Sequence, residues 1–117
     1  MPRQFAVIGL GNFGAQLAAE LTRRGAEVLA IDERAEAVDD LREHVTHTVR
    51  LDATDLEALS EQRISEMDAV VVSFGSDFEA ALLTVSVLKQ AGAEKIVVRA
   101  TTVRHERILE ALGVDEV

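Results

Sequence analysis

The sequence predicts a doubly wound α/β fold, a parallel sheet of strand order 3-2-1-4-5 with helices on both faces. Three observations carry that prediction. Short continuous apolar runs recur along the chain, as buried parallel strands require. Segments of helical spacing separate them, so strand and helix alternate throughout and right-handed crossovers follow. A glycine-rich turn, "GLGNFG" at 9–14, joins the first strand to the first helix.

The elements follow in order. "FAVI" at 5–8 is the first strand, and Phe13, Leu17 and Leu21 repeat at four-residue spacing in a helix that Gly25 closes. "VLAI" at 28–31 is the second strand, and Ala35, Val38 and Leu41 mark the second helix. A weaker strand, "THTVRL" at 46–51, comes third. Thr54 with Glu57, and Ser76 with Glu79, form capping-box patterns before two further helices. "AVVV" at 69–72 and "KIVV" at 95–98 are the fourth and fifth strands. A last helix carries Ile108, Leu109 and Leu112 and stops at Gly113.

The segment 77–91 departs from ordinary amphipathicity. Leu82, Leu83, Val85, Val87 and Leu88 cover most of its circumference. One side can face the sheet; the other is either an apolar surface or, more economically, the contact with a second subunit.

Composition sets the outer bounds. The 117 residues suit one domain, 48% hydrophobic with a single proline, and a packed core follows. No apolar run is long enough to cross a bilayer, and "MPRQFAVIGL" lacks a signal peptide's apolar region and cleavage site. Without cysteine there is neither a disulfide nor a thiolate metal site, and a cytoplasmic setting is expected. Twelve basic against twenty-one acidic residues give a net charge of −9, which disfavours nucleic acid and anionic membranes as partners, and no direct membrane insertion is expected. An anionic ligand must therefore be held by local donors.

Such donors are predicted at the glycine turn. Gly9 permits the tight turn, Gly11 lets backbone approach a pyrophosphate, and Gly14 lets helix and strand pack closely. Asn12 and Phe13 open the helix, whose free N–H groups and dipole favour phosphate. Asp32, eighteen residues past Gly14 and followed by Glu33, ends the second strand, where a carboxylate accepts from ribose hydroxyls and disfavours the 2′-phosphate of NADP. This is the Rossmann-like fingerprint in its full context.

Three other places fall near the same crevice. Asp52 and Ala53 follow the third strand, where they either meet an adenine edge or form a turn with Thr54 capping the next helix. Gly75 follows the fourth strand and permits either close ligand approach or a plain left-handed turn. Arg99, at the end of the fifth, can reach a terminal phosphate or pair with an acid. Nothing suggests catalysis: His44, His47 and His105 lack arranged partners, no metal-ligand spacing occurs, and Asp39–Asp40 lies on a polar helix face.

With these residues laid out, the chain resembles the N-terminal domain of the RCK family, also called KTN: cytoplasmic regulators of Trk and Ktr potassium uptake systems and of potassium channels. The resemblance spans essentially all 117 residues. It rests on "VIGLGNFG", "EVLAID", "DAT" at 52–54, "FGSDFEAALLTVSVLKQAGAEKIVVRA" and "HERILEALGVDEV". It implies a homodimer through helix 77–91, rings that are commonly octameric, a membrane pore partner, and a bound ADP/ATP or NAD(H). It also implies that Asp32 holds the ribose, Asp52 lies at the adenine turn and Arg99 stands in for a phosphate-facing lysine. Two departures accompany it. Asn12 replaces an arginine that contacts terminal phosphates in Ktr-like members, which leaves ADP, AMP or NAD(H) open. The usual C-terminal domain is absent, so residues 1–117 are read as one domain. A coenzyme-binding domain of an NAD-dependent oxidoreductase and a purely structural oligomerisation unit are the alternatives.

Overall fold

A computed structural model describes residues 2–75 and 77–117. Five parallel strands form one sheet of order β3-β2-β1-β4-β5, with β1 (Gln4–Ile8) at the centre. β2 (Glu27–Asp32) and β3 (His47–Arg50) lie to one side; β4 (Ala69–Val72) and β5 (Ile96–Val98) lie to the other. All five predicted strands and their order are observed.

The apolar runs are continuous because both faces are covered. Val7, Val28 and Ala30 pack with Ala18 of α1 (Asn12–Arg23) and with Val38 and Leu41 of α2 (Ala35–Leu41). Their neighbours Ala6, Ile8, Ile31, Val70, Val72, Ile96 and Val98 point the opposite way. Those pack beneath Leu59 of α3 (Leu56–Ser60), Val85 and Leu88 of α4 (Phe78–Gln90) and Leu109 of α5 (Val103–Ala111). Side chains alternate across a strand, so a run such as Ala6-Val7-Ile8 feeds two cores at once.

Several local expectations are corrected. Asp55, not Thr54, caps α3 by accepting from the Ala58 N–H, because Thr54 is engaged with Asp52. Asp77 caps α4 through the Ala80 N–H at 3.1 Å; the Ser76 of the expected capping box lies outside the described residues. In α1 the buried face is Gly14 and Ala18, and Phe13 of the expected apolar stripe is 43% exposed. In the last helix Leu109 alone is buried, while Ile108 and Leu112 are exposed. A 3-10 turn at Ile64–Glu66, entered through Arg63 at φ 57°, leads into β4 and buries Ile64.

The apolar circumference of the 77–91 helix is mostly covered within one chain. Ala81, Val85, Val87 and Leu88 are buried, Leu82 is half-buried, and Leu83 is 51% exposed. Phe78, at the start of α4, stacks on His105 of α5, with ring centroids 3.8 Å apart. At the end of the chain Glu116 pairs with Val97 in parallel, and Asp115 accepts from the Ile96 N–H at 2.7 Å.

Candidate functional site

The sheet order reverses at β1, which has β2 on one side and β4 on the other. Crossovers leave these strands in opposite directions and open a crevice beyond their carboxyl ends. That crevice is a cavity of about 740 Å³, within the range of small-molecule sites. Gly9, Gly11, Asn12, Phe13, Asp32, Glu33, Asp52, Ala53, Gly75 and Arg99 all line it, from five separate stretches of chain.

Gly14 does not line it. It is buried against the turn, where an added Cβ would run into the carbonyl of Gly9. Gly9 itself sits at φ +92°, and a Cβ there would meet the Ser73 carbonyl at the end of β4. Gly11 differs from both. Its φ is an ordinary −73°, and among the described residues nothing beyond its immediate chain neighbours lies within 4 Å of where its Cβ would stand. Gly9 and Gly14 therefore serve the fold, whereas the space at Gly11 is kept open towards the crevice.

Gly11 is the N-cap of α1 and supplies no side-chain hydrogen bond, and no acid sits in the first turn. The helix opens with unsatisfied N–H groups and the positive end of its dipole at Asn12 and Phe13. By contrast α3, α4 and α5 are each capped by a side chain, Asp55, Asp77 and Thr102.

Asp32, only 6% exposed, closes the β2 side. Its Oδ2 accepts from the Leu10 N–H at 2.8 Å, and its Oδ1 accepts from the Arg34 N–H at 2.9 Å. The Arg34 guanidinium adds two more bonds at 3.1 Å, one to each oxygen. Burial pushes the carboxyl's pKa up, but these hydrogen bonds and the Arg34 charge outweigh it and hold the group below its ordinary value. Arg50, opposite Asp32 in the β2–β3 register, donates through Nε to the Glu33 carbonyl at 2.8 Å.

The carboxylate of Asp52 is turned into its own loop, accepting from the Thr54 N–H at 2.9 Å and hydroxyl at 2.6 Å. These bonds lower its pKa. The residue lines the crevice as a turn former, one of the two readings its sequence context allows. Gly75 takes φ +62° at the far wall. Arg99 lies over the Phe13 ring, with its guanidinium carbon 4.6 Å from the centroid.

Arg34 is the residue that sequence reasoning missed. Its context, "DERAEAV", reads as a solvated helix start. The available signal was a cation two residues beyond the strand-end acid, close enough to fold back on it. Ser73 and Gln16 also line the crevice without having been expected, and Phe74 lines it beside Gly75.

The TrkA-N domain profile matches residues 5–117. The chain belongs to the TrkA-N domain family. Ktr system potassium uptake protein C of Bacillus subtilis is 35% identical over 117 residues, covering all of this chain and 53% of the relative. Ktr system potassium uptake protein A of the same organism is 38% identical over 115 residues, covering 98% and 52%. This TrkA-N chain thus spans about half the length of these curated relatives.

Among solved structures, the NAD(P)-binding domain of an exopolyphosphatase-related protein from Archaeoglobus fulgidus superimposes with a TM-score of 0.87 at 28% identity, covering 97% of this chain and 85% of that one. The Shewanella denitrificans Kef CTD in AMP-bound form superimposes at 0.77 with 21% identity, covering 97% and 68%; that likeness is one of fold. Among the described residues, no group of three or more His, Asp or Glu is placed to hold a metal ion, and no helix is long and apolar enough to cross a membrane.

Proposed function

We propose that this TrkA-N domain is a nucleotide-sensing regulatory module of a potassium uptake system or channel. One observation carries the reading: an uncapped helix N-terminus and a clear space at Gly11 meet, in one crevice, a buried acid at one end and an arginine at the other. The ligand is an adenine nucleotide, ADP/ATP or NAD(H), with its ribose hydroxyls on Asp32. Its phosphates lie against the N–H groups of Asn12 and Phe13, and Arg99 is within the same crevice for the terminal charge. The donor set fits such a group because the unsatisfied N–H groups that open α1 and the Arg99 guanidinium meet in one crevice, where they offset an otherwise acidic lining of Asp32, Glu33, Asp52 and Asp77.

The nucleotide acts here as a signal. Among the described residues, no side chain in the crevice is arranged to move a proton or to attack a bond. A ligand that binds one shape of an assembly more tightly than another shifts that assembly; equal binding to both would shift nothing. The names of the Ktr relatives support potassium uptake as the process. We place the module on the cytoplasmic side of a pore-forming partner, as a homodimer through helix 77–91 within a larger, octameric ring. Leu83, exposed on that helix, supports the dimer surface.

The test is calorimetric titration of nucleotide-free protein with ATP, ADP, AMP, NAD+ and NADH, repeated on Asp32→Ala. Binding that is lost in the variant supports the crevice as sensor, and the ranking tells energy charge from redox state. No binding by any of the five removes the sensing role.

A further inference from the structure

Building on the nucleotide reading, we propose that Arg34 is the specificity-determining residue of the crevice: an internal cation that a ribose diol must displace from Asp32 and that a 2′-phosphate would instead engage.

The carboxylate of Asp32 is full. A carboxylate offers about four acceptor positions, and Asp32 already receives Leu10 N–H, Arg34 N–H and two guanidinium hydrogen bonds. Two of these donors are backbone and fixed, since Leu10 belongs to the glycine turn and the Arg34 N–H stands at the N-cap of α2. The other two come from a side chain that is 55% exposed and able to leave. Placing ribose hydroxyls on Asp32 is therefore an exchange. Two charge-assisted bonds are given up for two from neutral hydroxyls, and the guanidinium moves to the rim.

At the rim the displaced guanidinium stands beside the 2′ position. A planar guanidinium binds phosphate through two parallel N–H donors. Arg50 lies on the adjoining strand, opposite Asp32 in register and anchored to the Glu33 carbonyl. Arg34 is thus the cation available beside the acid, in a chain whose net charge is −9, because Arg50 is held on the Glu33 carbonyl outside the crevice lining. The repulsion that an unpaired Asp32 would exert on a 2′-phosphate is offset by its partner. Removing Arg34 must move the two ligand classes in opposite directions: the diol gains a free acceptor, and the 2′-phosphate meets a bare carboxylate.

The probes are 5′-AMP and adenosine 2′,5′-bisphosphate, which differ by the 2′-phosphate alone, titrated into wild type, Arg34→Ala and Arg34→Gln. The pair is part-buried, with Arg34 55% and Asp32 6% exposed, and its net worth is modest, so 5′-AMP affinity should rise about two- to fivefold in either variant. Affinity for the bisphosphate should fall about tenfold, and its salt dependence should shrink. Unchanged or weaker 5′-AMP binding, or an unmoved ratio between the probes, would overturn the role of Arg34 while leaving the crevice as a nucleotide site. If wild type binds neither probe, the nucleotide reading itself fails and this inference with it. Both variants lose two hydrogen bonds to the buried Asp32 carboxylate and should melt somewhat below wild type, so melting curves establish that each is folded at the titration temperature.

Discussion

The Arg99 guanidinium lies 4.6 Å from the centre of the Phe13 ring, so the end of β5 and the first turn of α1 are joined across the mouth of the crevice. Phe13 is 43% exposed, an unusual place for a phenylalanine on an otherwise inward-facing helix. One face of its ring carries the cation. A positive charge thereby stands beside the first turn of α1 within the crevice. Arg99→Gln should weaken ATP and ADP binding about tenfold while changing AMP little, and Phe13→Leu should produce a smaller loss of about two- to fivefold through misplacement of the cation. Competition titrations on the two variants measure both.

The three turn glycines should separate cleanly on substitution. Gly14→Ala drives a Cβ into the Gly9 carbonyl, a backbone atom that cannot swing aside. A cost of about 2 kcal/mol or more follows, lowering Tm by roughly 8–16 °C. Gly9→Ala should be at least as damaging, since φ +92° strains any side chain as well. Thermal melts of the purified variants give the comparison.

Acid should destabilise the domain partly through Asp32. Its pKa is lowered in the folded state, so the unfolded chain binds the proton first as pH falls. The stabilisation is complete above the unfolded carboxylate value of about 4 and is lost as pH drops through the lower folded value. Denaturant midpoints should be flat from neutrality to about pH 5 and fall below about pH 4. Asp32→Asn should lower the plateau and flatten part of the fall.

If helix 77–91 carries the dimer, Leu83→Asp should dissociate it and lower Tm only by what association contributes, leaving a folded monomer, because Leu83 is 51% exposed within the chain. Sedimentation equilibrium of both proteins reads this. A monomeric wild type would dismiss that surface for these 117 residues.

Much of the site was legible because its signals are backbone signals. Glycines at 9, 11 and 14 and an acid at 32 report turn geometry and strand ends, which the parallel sheet then places side by side. Gly14 was legible even in its exclusion from the lining, since close packing was its expected role. What escaped was set by side chains choosing among near partners. Thr54 and Asp55 are both competent caps, and the Asp52 turn took the first. Arg34 was hidden because ion pairing across two residues leaves no periodic trace. The breadth of apolar sequence on 77–91 was real, but sequence alone does not count the neighbours: a sheet face and two adjoining helices absorbed nearly all of it.

Gly11 tests the central claim most directly. With φ −73° and, among the described residues, nothing beyond its immediate chain neighbours within 4 Å of its missing Cβ, Gly11→Ala should keep the fold's stability within about 1 kcal/mol. A pyrophosphate resting on that backbone would meet the new methyl group. We would titrate ADP into wild type and Gly11→Ala by calorimetry, alongside their melting curves. The crevice assignment predicts matched melts, binding by wild type, and a loss of at least tenfold in the variant. Equal ADP affinity in two equally stable proteins would contradict it.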